Sequence, residues 1–192
     1  MKSNLNAHVR IRALCEGAIL IALAQILSFL KVYEFPQGGS VTLEMLPVFF
    51  YCLRWGFAPG MIASVAYGIL QLIFGFYAWH WQSIFGDYLI AFSLLGLCGL
   101  FKNFPGGLYF GPIAGAFARF LSHFITGATV WREYMPDEFF GMTMTNPWFY
   151  SLLYNGSYML LDLILCLIVL FFMDRYAPIR KYLRARDLNN KN

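Results

Sequence analysis

The sequence predicts an all-α membrane protein with six transmembrane helices and both termini in the cytoplasm, and three observations carry that prediction. Hydrophobic residues make up 59% of the 192 positions and charged residues only 12%, against roughly 45–50% and about 25% in soluble domains. An apolar excess of this size cannot be hidden in one small core, so the remaining apolar surface must face lipid. The apolar residues also fall in runs, several close to the ~20 residues that a helix needs to cross a bilayer. Finally, most basic residues flank those runs instead of striping one face.

The first helix is expected over residues 13–30, behind Lys2, Arg10 and Arg12, and a shorter second one over 44–53. FPQGGS (35–40) separates the two, and RWGFAPG (54–60) turns the next corner. A third helix over 57–74 and a fourth over 84–101 follow, closed by KNFPGG (102–107). The fifth is expected over 108–127, and a longer loop (128–146) then carries Arg132, Glu133, Asp137 and Glu138. Asn146 is placed to cap the sixth helix, 147–173, which Pro147 opens. Helices are the open-chain structure that satisfies its own backbone in lipid, and no dyad alternation of the barrel kind is present. No polar linker divides the chain, so residues 1–192 read as one integral membrane substrate-binding domain.

With the N-terminus inside, the cytoplasmic segments hold 11 of the 14 Lys and Arg residues. Lys2, Arg10 and Arg12 lie at the start, Arg54 and Lys102 in the corners, and Arg175, Arg180, Lys181, Arg184, Arg186 and Lys191 at the end. Lys31 and Arg132 are outside, and Arg119 lies within the membrane. The formal charge of +4 is thus a topological signal and does not indicate nucleic acid. Cys15, Cys52, Cys98 and Cys166 lie far apart in apolar stretches and read as small buried hydrophobes, not as a metal site or a disulfide frame. The basic start and apolar run lack a small-residue cleavage pattern, so the first segment is expected to remain.

Ionisable residues within spans are the candidate functional groups, because their burial in lipid is expensive. Asp87 lies in GDYLIAF near the start of the fourth helix, and Arg119 and His123 in ARFLSHFITG on the fifth. The i, i+4 spacing puts Arg119 and His123 on one face, which Gly127 continues. Tyr150 and Asn155 occupy the first turns of the sixth helix. The assigned topology puts all of these in the outer half of the bilayer, drawn from three separate segments. Tyr77, Trp79, Trp81, Tyr88, Trp131 and Tyr134 surround the same level. A carboxylate beside aromatic faces suits a flat cation, and the amide, phenol and imidazole offer directional hydrogen bonds. The plainer readings are an interfacial aromatic belt, an Asp87–Arg119 neutralising pair and a packing histidine. Asp162, Glu16 and Glu44 receive no role.

At these residues the chain resembles the thiamine-specific substrate-binding subunits (S components) of bacterial energy-coupling factor (ECF) transporters. The resemblance runs through PQGGSVTLEMLPVFFYCLRWG (36–56), AYGILQLIFG (66–75), GDYLIAFSLLGLCGLF (86–101), RFLSHFITGATVW (119–131) and NPWFYSLLYNGSYML (146–160). It implies high-affinity thiamine binding at the outer face and thiamine uptake. As ligand-binding residues it implies Asp87, Tyr88, His123, Gly127, Trp131, Tyr150 and Asn155. Tyr67 stands where some members have tryptophan, and Arg119 where some have lysine. Asp87 would support the cationic or amino-bearing part of the ligand, with Trp131 and His123 on its rings and Tyr150 and Asn155 bonded to the pyrimidine. Asp87 is one methylene shorter than the glutamate of some members. QGGS replaces a first-loop tryptophan, with Tyr33 and Phe35 nearby. Ala18 and Ala22 form a small-xxx-small ridge that the resemblance assigns to a transmembrane coupling subunit, with two ATPase subunits supplying energy. The chain's own lack of a GxxxxGK[ST] loop fits ATP use by partners. No cofactor or metal is implied. The expected location is the bacterial plasma membrane.

Three rivals define the alternatives. An S component for another vitamin or a thiamine precursor would use similarly sparse polar groups. An autonomous secondary transporter would show inverted repeats or paired broken helices, which are not seen. An intramembrane enzyme would need a motif such as HExxH or a nucleophile elbow, and neither is present. The reading is therefore a binding and transport protein, not an enzyme.

Overall fold

The computed structural model describes residues 2–35, 38–75, 80–177 and 179–184. Tyr77, Trp79, Arg186 and Lys191 lie outside the described residues. Helix α1 spans Lys2–Phe29, α2 Met45–Trp55, α3 Phe57–Phe74 and α4 the helical run Trp81–Phe101. Then come α5 (Gly107–Thr129), α6 (Pro147–Tyr176) and a short α7 (Ile179–Arg184). Two small antiparallel hairpins lie in loops: β1 (Tyr33–Glu34) with β2 (Ser40–Val41), and β3 (Glu138–Phe139) with β4 (Met142–Thr143).

Polar and apolar residues are distributed as in a protein dissolved in lipid. Ile62, Ile73 and Leu160 are 71%, 63% and 58% exposed, whereas Asp162 and Arg119 are 1% and 5% exposed. Water would favour the opposite arrangement. Among the described residues, four helices are long and apolar enough to cross a membrane: α1 from Ala7 to Phe29, α3, α4 and α6. Helix α5 has 23 residues, roughly 35 Å at 1.5 Å per residue, but Arg119 and His123 lower its hydropathy. Helix α2 has only 11 residues, roughly 16 Å or half the hydrocarbon thickness. It is enclosed instead of lipid-facing: Met45 to Phe49 and Tyr51 to Arg54 are buried, and α1, α3, α5, α6, α7 and the inner part of α4 surround it.

The corner from α2 to α3 requires Gly56, which has φ +87°, a conformation open to glycine without a Cβ clash. Its N–H returns to the Cys52 carbonyl at 2.8 Å. Gly99 of α4 packs onto that corner so closely that a Cβ there would lie 2.6 Å from the Gly56 carbonyl carbon.

Three sequence expectations need correction. Helix α1 extends eleven residues upstream of Ala13, through Arg10 and Arg12 to Lys2, because charge ends an apolar run without breaking a helix. Cys15 is exposed, not buried, since α1 turns a broad face outward. Helix α4 is not uniformly wound: Ile84–Ile90 is π-helical and Leu94–Phe101 is 3₁₀. Gly86, Gly96 and Gly99 weaken its preference for the α form and admit close neighbours.

At one end of the molecule a polar knot joins the first and last helices. Glu16 of α1 accepts from Arg54 Nε at 2.5 Å and Trp55 Nε1 at 2.8 Å. The Arg54 guanidinium also donates to the Tyr182 carbonyl and lies 4.1 Å from the Tyr182 ring centroid. Helix α7 is thereby pinned beneath α2, with Ile179 buried in the core.

Candidate functional site

The site begins with Asp87, on the π-helical turn of α4. Its two carboxylate oxygens accept three bonds: Oδ1 meets His123 Nδ1 at 3.0 Å, and Oδ2 accepts from Ser83 Oγ at 2.6 Å and Trp131 Nε1 at 2.8 Å. Ser83 lies one turn before Asp87. His123 comes from α5, and Trp131 from the segment just beyond it. The π segment is held to α5 by Ser122 Oγ, which donates to the Gly86 carbonyl at 2.7 Å.

Helix α6 closes the third side. Asn155 Nδ2 donates to the Ser151 carbonyl at 3.1 Å, to Ser151 Oγ at 3.0 Å and to the His123 carbonyl at 3.3 Å. Its Oδ1 accepts from Tyr158 OH at 3.1 Å. Gly127 makes this approach feasible, since a Cβ would lie 2.4 Å from Ser151 Oγ and 2.9 Å from Asn155 Nδ2. Tyr150, Tyr154 and Tyr158 form a ladder on α6, with centroids 5.7 and 5.5 Å apart. The β1–β2 hairpin lies on this ladder: Phe35 packs against Tyr154 and Tyr158, and Gly39 N–H donates to Tyr154 OH at 2.5 Å. Thr42 N–H donates to Asp162 Oδ1 at 2.6 Å.

Above Asp87, Trp131, Tyr134 and His80 form an aromatic trio with centroids 5.6–6.4 Å apart. Tyr88 turns toward α3, where its OH donates to the Gly75 carbonyl at 2.7 Å. Among the buried side-chain atoms of this outer cluster, His80 Nε2 and His123 Nε2 have no hydrogen-bond partner.

Arg119 and Tyr67 belong to a second polar cluster, built on Glu44. Glu44 Oε1 accepts from Arg119 Nη2 at 2.8 Å, and Oε2 from Tyr67 OH at 3.0 Å and Gln71 Nε2 at 2.6 Å. The guanidinium lies 4.2 Å from the Phe92 ring centroid. Arg119 thus pairs with Glu44, and the neutralising Asp87–Arg119 pair considered above does not form.

The structure therefore brings Asp87, His123, Trp131, Gly127 and Asn155 together. Tyr150 joins through its ladder, and Tyr67 and Arg119 lie in the Glu44 cluster. Ser83, Ser151, Tyr154, Tyr158, Gln71, His80 and Glu44 were not singled out from the sequence as site residues. Four-residue spacing could have found most of them: Ser83 precedes Asp87, Ser151 precedes Asn155, Gln71 follows Tyr67, and the tyrosines repeat at 150, 154 and 158. Only spatial contact identifies Glu44. Ala18 and Ala22 are exposed on α1. No group of three or more potential metal ligands occurs among the described residues.

Residues 14–181 match the family model for thiamine transporter proteins. The chain is 31% identical over 190 residues to the thiamine transporter ThiT of Bacillus subtilis, covering 91% of this chain and 96% of that one. It is 30% identical over 189 residues to ThiT of Lacticaseibacillus paracasei, covering 89% and 90% respectively. In fold it is similar to a solved structure of ThiT from Listeria monocytogenes, with a TM-score of 0.75 at 23% identity over 88% of this chain and 97% of that one.

Proposed function

The chain belongs to the thiamine transporter protein family, and from that premise we propose that it captures thiamine at the outer face of the membrane as the S component of an ECF-type transporter. It is a multi-pass protein of the bacterial plasma membrane and a transporter, not an enzyme. In this reading the chain makes six crossings with both termini in the cytoplasm. The second crossing combines α2 with residues 40–44, the β2 strand and the turn that precede it. The charge distribution supports this orientation, because it leaves the membrane-flanking Lys and Arg residues mostly inside.

One observation carries the proposal: a single carboxylate, an imidazole, an indole and an amide, from three segments, converge around Asp87, His123, Trp131 and Asn155. Thiamine is a flat cation with an aminopyrimidine. Asp87 supplies a negative charge that balances the thiazolium, the aromatic side chains offer π faces, and the imidazole and amide set direction. Energy comes from two ATPase subunits through a transmembrane coupling subunit. The exposure of Ala18 and Ala22 on α1 supports a lipid-facing surface open to such a partner.

Titration of the purified, detergent-solubilised protein with thiamine, followed by tryptophan fluorescence, tests the reading. Saturable quenching is expected, and it should weaken at least tenfold in Asp87→Ala and Asn155→Ala. Absence of saturable binding, or unchanged affinity in both variants, overturns it.

A further inference from the structure

The Asp87 carboxylate is already occupied by groups of its own chain. Three donors (Ser83 Oγ, Trp131 Nε1 and His123 Nδ1) lie at 2.6, 2.8 and 3.0 Å from its two oxygens. Asn155 is engaged in the same way, with its Nδ2 donating to Ser151 and its Oδ1 accepting from Tyr158. His123 differs. Its Nδ1 is held by Asp87, while its Nε2 is enclosed and has no hydrogen-bond partner.

We infer that Asp87 is a positioning residue that locks His123 in the Nδ1–H tautomer, so that Nε2 presents a lone pair and selects an amino-bearing heterocycle over its oxo counterpart. The inference rests on the proposed thiamine-binding role. The chemistry is directional. An ionised carboxylate only accepts, so the imidazole nitrogen facing it must carry a proton. The remaining nitrogen is an acceptor as long as the ring is neutral. An exocyclic amine then satisfies Nε2, whereas an oxo oxygen would set lone pair against lone pair. A site that hydrogen-bonds a ligand group discriminates strongly against the analogue that lacks the matching group.

The test is calorimetric titration of the full-length, detergent-solubilised protein with thiamine and with oxythiamine, in which an oxo group replaces the pyrimidine amine. The wild type is expected to prefer thiamine by at least about tenfold, the equivalent of one matched hydrogen bond against a mismatched one. Asp87→Asn offers both a donor and an acceptor to Nδ1, so the preference should fall severalfold toward parity. Asp87→Glu keeps the carboxylate and should retain the preference. Loss of affinity for both ligands in equal proportion in Asp87→Asn would show a merely structural role and overturn the inference. A wild type that binds thiamine but does not distinguish the analogue overturns it while leaving the thiamine reading intact, whereas a wild type that binds neither removes both. Should Asp87→Asn fail to fold, nitrogen-15 NMR of histidine-labelled wild type with thiamine bound decides. The His123 signal, assigned with His123→Gln, should show a protonated Nδ1 and a bare Nε2. The reversed tautomer, or protonation at both positions, refutes it.

Discussion

Replacing Glu44 with alanine should unfold this protein far more readily than its distance from Asp87 would suggest. Glu44 lies at the start of α2 and is 7% exposed, and its carboxylate accepts from Arg119, Tyr67 and Gln71. Among the described residues Arg119 Nε and Nη1 have no hydrogen-bond partner, so the guanidinium is held by the bond from Nη2 to Glu44. Truncation leaves a guanidinium enclosed at 5% exposure with no counterion in hydrogen-bond contact. Removing one member of a buried ion pair typically costs about 3–5 kcal/mol. The buried Asp162 carboxylate, within Coulombic reach of the guanidinium, offsets part of that, so about 3–4 kcal/mol is expected. For a chain of this size each kcal/mol lowers Tm by about 2–4 °C, which puts the drop at about 6–16 °C. Thermal unfolding in detergent, followed by near-ultraviolet circular dichroism, measures it. The double variant Glu44→Met with Arg119→Leu removes both charges and should recover most of the loss. A single variant within about 2 °C of wild type would refute the account of this cluster.

Gly127→Ala would place a methyl group 2.4 Å from Ser151 Oγ and 2.9 Å from Asn155 Nδ2. It should destabilise by about 1–3 kcal/mol and weaken thiamine binding, and full affinity by fluorescence titration would contradict the packing described. Trp131→Phe keeps an aromatic face but deletes the Nε1 bond to Asp87, so affinity should fall roughly tenfold. Equal affinity would mean that bond is idle in the bound state. Arg54→Ala removes the bonds to Glu16 and to the Tyr182 carbonyl. Limited trypsin digestion should then cut faster after Arg180 and Lys181, and an unchanged rate would show that α7 is held by Ile179, Leu183 and the Arg180–Asp174 pair instead.

The lipid-crossing segments were legible because hydrocarbon imposes a length and a composition, and breakers such as RWGFAPG mark the ends of runs. The meeting of Asp87, His123 and Asn155 was legible through topology, which put three ionisable or amide groups at one depth. Arg119 shows where such reasoning stops. Its face and its depth followed from spacing, but its partner lies 75 residues away, just before a helix whose residues are apolar almost throughout. Periodicity cannot reveal a contact that depends on how helices are arranged around one another. The enclosure of α2 was hidden for the same reason, since a helix that is hydrophobic all round reads alike in lipid and in a protein core. Cys15 erred in the other direction, because an apolar neighbourhood in sequence does not say which side of α1 faces its neighbours. The winding of α4 follows from close approaches at its glycines, and hydropathy does not register those.

That winding has one further consequence. A π turn holds an additional residue compared with an α turn, and Asp87 stands inside seven consecutive residues of this form. Tightening the stretch by a single residue would swing the carboxylate by about 100° around the helix axis, away from His123 and Trp131. The location of the Asp87 carboxylate is therefore a matter of pitch, and a substitution several residues away that restores ordinary coiling would remove this charge from the cluster without touching any residue in it.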